Sequence, residues 1–268
     1  MFKIALHGSS FVSSQVGYQP PGSWDECVTA LSQYFQPITT FEQRFDDLLK
    51  RVKELGFSCM DVWQPAELNW QWATLEHIEI ARRVIDRQAM VISSLAGEFG
   101  TTREEFDSAC RLASAIGAPM LSGTTALLLS DRNFVIDRLE AYDLRLAIEN
   151  EVEETPQQIL QQIGDTGRGR LGSALDTGWW ATHHYDVVKA ITELKEHLFH
   201  VHLKDVLPGD EHINCGYGKG CVPVVDCVET LMKMDYTGIL SIENHALDHD
   251  PGSELVAGRK LVEKMISS

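Results

Sequence analysis

Four side chains of the kinds that bind a divalent cation recur in the second half of the sequence. Each stands at the end of a short apolar run: Glu149 in LRLAIEN, Asp176 in LGSALD, His202 in FHVHLKD and Glu243 in GILSIEN. Three carboxylates and one imidazole make a mixed oxygen and nitrogen donor set suited to such an ion. A helical pattern follows each run. The ends of parallel strands are where an α/β barrel keeps its chemistry, so one pattern proposes a fold, a metal and a site together.

Side chains along a strand alternate in direction. Ala147 and Glu149 share one direction against Leu146 and Ile148, and Ser241 and Glu243 oppose Leu240 and Ile242. His200, His202 and Lys204 oppose Val201 and Leu203, and Ala174 and Asp176 oppose Leu175. The bulky set is expected to face helices and the small or polar set the barrel axis. A lone strand-end carboxylate is more often a cap for the next helix, and a lone strand histidine is more often a hydrogen-bonded core residue. Four inward placements on successive strands favour a shared ion over four independent caps.

Other residues join as substrate contacts. His7 ends the first run in the inward phase set by Lys3 and Ala5, with a structural role as its alternative. Lys204 reaches either substrate or a salt bridge within its LKD triplet. Trp179 and Trp180 follow Asp176, and Trp63, Trp70 and Trp72 cluster after the second run. Aromatic faces suit a sugar ring, and loop packing or an oligomer contact is the plainer alternative. His212 lies in a long loop, 206–222, with Asp210 and the glycine-rich CGYGKG. That stretch lacks the spacing of a phosphate-binding Walker loop, and a flexible turn is its plain reading.

The elements that must position these residues alternate throughout. Strands are predicted at 2–7, 58–63, 89–95, 119–123, 144–150, 171–176, 199–204 and 238–243. Helices are predicted at 41–55, 72–88, 102–117, 133–142, 155–164, 185–198, 223–235 and 252–266. Eight strand–helix pairs over 1–268 predict an α/β fold, a single (β/α)8 TIM barrel, with an open doubly wound sheet as the alternative. Thr40–Phe41–Glu42–Gln43 fits a capping box, Thr155–Pro156 a cap before a first-turn proline, and Gly56 and Gly117 helix C-caps. The first connection, Gly8 to Thr40, is long enough to be a lid or binding loop; it contains Pro20–Pro21–Gly22 and a short helix from Trp24.

The chain has 268 residues with 23 basic and 39 acidic side chains, a net charge of −16. Such a surface repels phosphate backbones and makes nucleic acid a poor partner. No run approaches a membrane span and no signal-peptide pattern opens the sequence, so a cytoplasmic protein without a membrane partner is expected. None of the six cysteines forms a C-x-x-C pair. That argues against a thiolate zinc site, and Cys59 and Cys110 read as buried thiols in a reducing compartment.

AIEN, LDTGWW, FHVHLKD, GYGKG and SIEN, in that order over Leu144–Ala246, resemble the xylose-isomerase-like barrel superfamily of sugar isomerases and epimerases. The resemblance implies that Glu149, Asp176, His202 and Glu243 hold one divalent metal, and that Glu149 and Glu243 also act as acid and base. It stops short of the ketose 3-epimerases. Where those carry a His after the metal Asp this chain has Trp179, where they carry an Arg it has Pro208, and Thr155 stands in place of a second Glu. Asp210–Glu211–His212 resembles a motif of endonuclease IV-type enzymes, but a further metal histidine of theirs also falls on Trp179.

The expected function is therefore a metal-dependent isomerase or epimerase of a small sugar or keto-sugar, moving a proton through a metal-stabilised enediolate. Mn2+, Mg2+ or Co2+ suits the oxygen-rich set, with Zn2+ also admitted. Expulsion of a β-hydroxyl would make a dehydratase or hydratase of a keto-sugar or keto-inositol instead. Because a metal-bound carboxylate is a weaker base than a free one, Lys204, His7 or His212 is an alternative proton carrier. A non-catalytic metabolite-binding barrel is the reading from another class. A homo-oligomer is compatible with all of these.

Overall fold

The computed structural model describes residues 2–19 and 23–267. The Pro20–Pro21–Gly22 turn expected in the first connection lies outside the described residues. Eight parallel strands close into a barrel in sequence order. They are β1 (Lys3–His7), β2 (Cys59–Trp63), β3 (Val91–Glu98), β4 (Met120–Thr124), β5 (Arg145–Glu149), β6 (Leu171–Asp176), β7 (Leu198–Leu203) and β8 (Ile239–Ile242). Pairing of β1 with β8, from Lys3 opposite Ile239 to Leu6 opposite Ile242, completes the ring. The single (β/α)8 barrel expected from the alternating pattern is the fold.

The helices are α1 (Trp24–Phe35), α2 (Ile38–Glu54), α3 (Leu75–Gln88), α4 (Arg103–Ala115), α5 (Leu127–Ser130), α6 (Arg132–Ala141), α7 (Pro156–Ile163), α8 (Thr177–Thr182), α9 (Val187–Leu194), α10 (Val224–Lys233) and α11 (Gly252–Ile266). The helix expected from Trp24 is α1, started by a capping box in which the Ser23 hydroxyl accepts the Glu26 N–H. The expected capping box at Thr40 is not formed. Helix α2 begins earlier, at Ile38 after Pro37, whose φ of −68° is already close to helical. Thr40 thus falls in the first turn, where its hydroxyl donates to the Pro37 carbonyl at 3.2 Å. Helix α3 also starts later than expected, because Thr74 and His77 cap it and leave Trp72 in the preceding loop. Thr155 and Pro156 start α7 as expected, with the Thr155 N–H donating to Gln158 Oε1 at 2.9 Å. Gly56 and Gly117 follow their helices with φ of 86° and 78°.

The outward strand residues Leu146, Ile148, Leu175, Val201, Leu203, Leu240 and Ile242 join the helices in one large apolar core. The inward phase is different. Met120, Ala147 and Ala174 form a small separate apolar plug backed by Phe199, over whose ring the Arg145 guanidinium sits at 4.7 Å. Above the plug lies a fully buried polar layer of Asp61, Ser94, His200 and Ser241. Asp61 accepts from Ser94 Oγ at 2.7 Å and from Ser241 Oγ, and His200 Nε2 is 3.2 Å away. Burial alone would raise the Asp61 carboxyl, but the His200 imidazole outweighs it and holds the group below the usual carboxylate range. This layer is a firm polar floor for the site above it. Among the described residues no helix is long and apolar enough to cross a membrane.

Candidate metal and proton-transfer site

The strand ends bring Glu149, Asp176, His202 and Glu243 to one rim, together with His7 and Lys204. His202 Nδ1 lies 2.8 Å from Glu149 Oε1 and 3.5 Å from Glu243 Oε2. The Lys204 ammonium is 2.7 Å from Asp176 Oδ2 and 3.2 Å from Glu243 Oε1. Ligand atoms of Glu149, Asp176 and His202 lie within 4.8 Å of one another. Asp176 Oδ2 is buried against the Lys204 ammonium, and Glu243 Oε2 is buried and accepts no hydrogen bond. Three carboxylates and an imidazole gathered at one rim, with one buried carboxylate oxygen free of hydrogen bonds, fit a divalent cation.

The electrostatics agree with that fit. Burial would lower the His202 imidazole, yet Glu149 and Glu243 overcome this and push it up to about 10. Lys204 is likewise held protonated against its burial by Asp176 and Glu243. Glu243, in spite of burial, sits well below the usual carboxylate range because His7, Lys204, His245 and His202 surround it. His7, by contrast, is lowered to about 4 by burial, which keeps it neutral near pH 7. Such a carboxylate set gathers positive charge, and an incoming cation would displace protons from it.

Asp176 and Glu243 are each aimed by their neighbours. Asp176 caps α8, accepting the N–H groups of Gly178 and Trp179 on Oδ1 at 2.7 and 3.0 Å, which leaves Oδ2 to the Lys204 ammonium. Its strand position is tied by Asn150, whose Oδ1 accepts the Asp176 N–H at 2.8 Å. The cap reading of this residue is thus met by one oxygen, and the other points to the rim beside Lys204. Glu243 Oε1 accepts from Ser9 Oγ at 2.9 Å and lies 2.6 Å from His245 Nε2. His7 Nδ1 is 3.4 Å from the same oxygen.

The CGYGKG loop is no loose turn. Asp205 accepts the backbone N–H groups of Gly218, Gly220 and Val222 at 2.8–3.1 Å. The Tyr217 hydroxyl accepts the Glu243 N–H at 2.9 Å and lies 2.8 Å from the carbonyls of Leu203 and Glu243. Its ring packs on α11 at Gly258, where a Cβ would come within 2.4 Å of Tyr217 Cε2, so only glycine admits it.

Trp179 and His212 line the cleft above, stacked on each other with centroids 3.7 Å apart and planes at 14°. His212 Nδ1 is 2.9 Å from Thr182 Oγ1, and its Nε2 has no partner. Asp210 of the same segment is exposed and pairs with His184 instead. Trp180 is fully buried in the core and Trp72 packs on Phe41 and His77, so neither faces the cleft. Trp63 and Trp70 do line it.

His245, Ser9, Asp61 and Tyr217 belong to the site and were not singled out from the sequence. Asp61 stands in a strand with the inward parity, a signal that alternation offered. His245 lies two residues past Glu243, where the strand has ended and parity no longer guides. Two more trios, His7–Glu243–His245 and His7–Asp61–His202, have ligand atoms within 4.8 Å. In each, one carboxylate is already engaged by hydrogen bonds from serine.

A curated relative, an uncharacterized protein of Methanocaldococcus jannaschii, is 27% identical over 128 residues; the match spans 42% of this chain and 43% of the relative, less than half its length. The fold is similar to a D-tagatose 3-epimerase-like protein at 15% identity and TM-score 0.71, covering 99% of this chain and 97% of that one. It is similar to the IolI protein with a bound zinc atom at 10% identity and TM-score 0.71, covering 99% and 98%. It is also similar to the 3-keto-D-glucoside 4-epimerase YcjR of E. coli at 13% identity and TM-score 0.66, covering 98% and 100%. At these identities the likeness is one of fold. The family model described as xylose isomerase-like TIM barrel matches residues 49–265, most of the chain, and the chain belongs to that family.

Proposed function

We propose that this protein is a divalent-metal-dependent isomerase or epimerase of an uncharged keto-sugar. The observation that carries the reading is the meeting of Glu149, Asp176, His202 and Glu243 at one rim, with Glu243 Oε2 buried and free of hydrogen bonds and Asp176 Oδ2 held only by the Lys204 ammonium. These four residues would hold the ion. When bound, it supplies positive charge to the substrate oxygen on which negative charge builds as the adjacent carbon loses its proton.

The chain's own groups divide the remaining work. Glu149 is the more accessible glutamate, its side chain 12% exposed against 2% for Glu243, and it takes or returns a proton from the cleft side. Glu243 is the second carrier, with Oε2 toward the ion and Oε1, hydrogen-bonded to Ser9, as the oxygen that holds the proton. Lys204, His7 and His212 orient hydroxyls, and the buried polar layer below keeps the ligands from shifting. Trp179 narrows the pocket with an apolar face.

Charge selects the substrate class. Nine carboxylates and two lysines line the cleft, with no arginine among the described residues. Phosphate or carboxylate groups on a substrate would meet repulsion there. A neutral polyol carbonyl compound meets hydrogen-bond acceptors. IolI carries zinc on a similar fold, which supports a metal here and leaves its identity to measurement.

Dehydration is the second reading, favoured by the Lys204 ammonium 2.7 and 3.2 Å from two site carboxylates, where a departing β-hydroxyl could draw a hydrogen bond. Elemental analysis of purified protein, combined with solvent-deuterium exchange into a panel of keto-sugars, tests the whole proposal. One ion per chain and deuterium in recovered sugar are expected. Loss of water from the product would select the second reading, and a metal-replete protein with no exchange would end both. Little activity is expected on free fructose, tagatose or psicose because of Trp179; efficient 3-epimerisation of any of these would overturn that part.

A further inference from the structure

The cleft is larger than the proposed chemistry needs. It encloses about 1320 Å³, above the ~300–1,000 Å³ that drug-sized ligands fill. A free hexose, with about a dozen heavy atoms, would occupy only the end over the metal ligands. Part of the remaining space lies over the loops that follow β7 and β8, and part runs over α1 and the β2–α3 connection, on the half of the barrel that brings none of the four ligands.

That half is lined by aromatic rings. Trp24, the first residue of α1, is 37% exposed. Its ring lies 4.8 Å from the His245 ring and 5.7 Å from the Trp63 ring, the latter at 64°. Trp63 is itself buried and serves as the backing of Trp24. Trp70 lines the same wall and is fixed by its Nε1–H, which donates to the Glu98 carbonyl at 3.1 Å. Thus an aromatic surface begins beside Glu243, through His245, and extends away from it. Asp25 and Gln71 put polar groups on the same stretch of lining. A large flat face with hydrogen-bonding groups at its edge is what a second ring requires.

We propose that this wall is a second subsite and that the substrate is an uncharged keto-sugar glycoside carrying a ring aglycone, a sugar or an aromatic group. The keto ring lies over the metal ligands and the aglycone stacks on Trp24. This inference rests on the proton-transfer reading above for the reactive ring, and on the wall alone for the second.

The test uses the metal-loaded full chain and matched methyl and phenyl keto-glucosides, α and β, with solvent-deuterium exchange as readout. A kcat/KM at least tenfold higher for a phenyl member than its methyl counterpart is expected, mainly through KM. Trp24→Ala should collapse that ratio and Trp24→Phe should keep most of it. Equal constants for methyl and phenyl members in the wild type would remove the subsite and leave the proton-transfer reading standing. So would a Trp24→Ala variant that slows both members equally. Binding of unreactive methyl and phenyl glucosides, followed by calorimetry, separates the remaining cases. Tenfold tighter phenyl binding that needs Trp24, without exchange into any keto-glucoside, would keep the subsite and end the proton-transfer reading. Neither exchange nor Trp24-dependent binding would end both.

Discussion

Glu149 and Glu243 bring the same functional group to the same rim, and their surroundings differ. Glu243 Oε1 is held by Ser9 and His245 and approached by Lys204 and His7. Its backbone is held as well, by Tyr217. Glu149 has one close partner, His202, and opens onto the cleft. The two are expected to differ in tolerance to change: one is a fixed post with a single oxygen to offer, the other a jointed arm. A metal–carboxylate site that must also move protons gains from having one of each, since the fixed ligand keeps geometry while the mobile one travels.

The sharpest way to break this comparison is to replace each carboxylate with its amide. Glu149→Gln and Glu243→Gln should each lower exchange by about 10²–10⁴-fold, the usual cost of losing an acid or base. Only Glu243→Gln should also lose most of its metal, because Lys204, Ser9 and His245 would hold the amide oxygen and leave its NH2 group, which cannot ligate, on the metal side. Metal content measured beside the rate distinguishes the two effects. If both metal-loaded variants turn over like wild type, the two-glutamate mechanism is wrong, and Lys204 or a histidine becomes the base to test.

Metal addition comes next in size. An ion present at a hundred times its dissociation constant should stabilise the fold by about 2.7 kcal/mol, read as a shift in the urea midpoint and reversed by chelator. His202 lies between the two glutamates and holds its proton up to about 10. A ligating imidazole must be neutral, so near pH 7 binding should release about one proton per ion. Affinity should therefore weaken as pH falls, and calorimetry in buffers of different ionisation enthalpy would detect the proton. Affinity that stays level between pH 8 and 6 would show that His202 is not displaced.

The backbone clamp is the third target. Tyr217→Phe removes one of the two acceptors of the buried Glu243 N–H, which also donates to the Leu203 carbonyl at 3.2 Å, and should cost about 0.5–1.5 kcal/mol in urea unfolding. If stability does not change, the clamp contributes nothing beyond the strand bond to Leu203.

The smallest effect lies under the N-terminal wall. Glu67 is fully buried, its Oε2 accepting the Trp63 N–H at 2.8 Å and its Oε1 unpartnered. Burial pushes its carboxyl up to about 8 from an ordinary 4.5. Between those values the folded chain keeps a proton that the unfolded chain has lost, so this group makes stability fall as pH rises and level off above 8. Glu67→Gln should flatten that slope between pH 5 and 8. Parallel slopes in the two proteins would show that Glu67 ionises freely in the fold.

Much of this was legible in the sequence, for a physical reason. A period of two along each strand sorts side chains into core and axis, and the spacing of strands and helices admits few alternatives to a closed barrel. That is why the positions of Glu149, Asp176, His202 and Lys204 could be anticipated together. Features that depend on reach across the fold were not visible. The CGYGKG loop looked like a flexible turn, because nothing local shows that Tyr217 spans to Glu243 or that Asp205 gathers three amides. His245 stands beyond the last paired residue, where alternation lapses. Trp72 sat beside Trp70 in the sequence but was turned into the core by Phe41 and His77. The start of α2 follows Pro37 rather than the capping pattern at Thr40, because the proline already fixes a near-helical φ three residues earlier.

The Tyr217 hydroxyl ties the site to the final helix. It touches the end of β7 and the end of β8, and its ring needs Gly258 of α11 beneath it. Those three pieces follow one another in the C-terminal part of the chain, and they meet when β7 and β8 have paired and the final helix has docked. The Glu243 backbone is therefore fixed by the C-terminal helix, and a chain cut short before α11 would carry the Glu243 carboxylate without the seat that Tyr217 gives it.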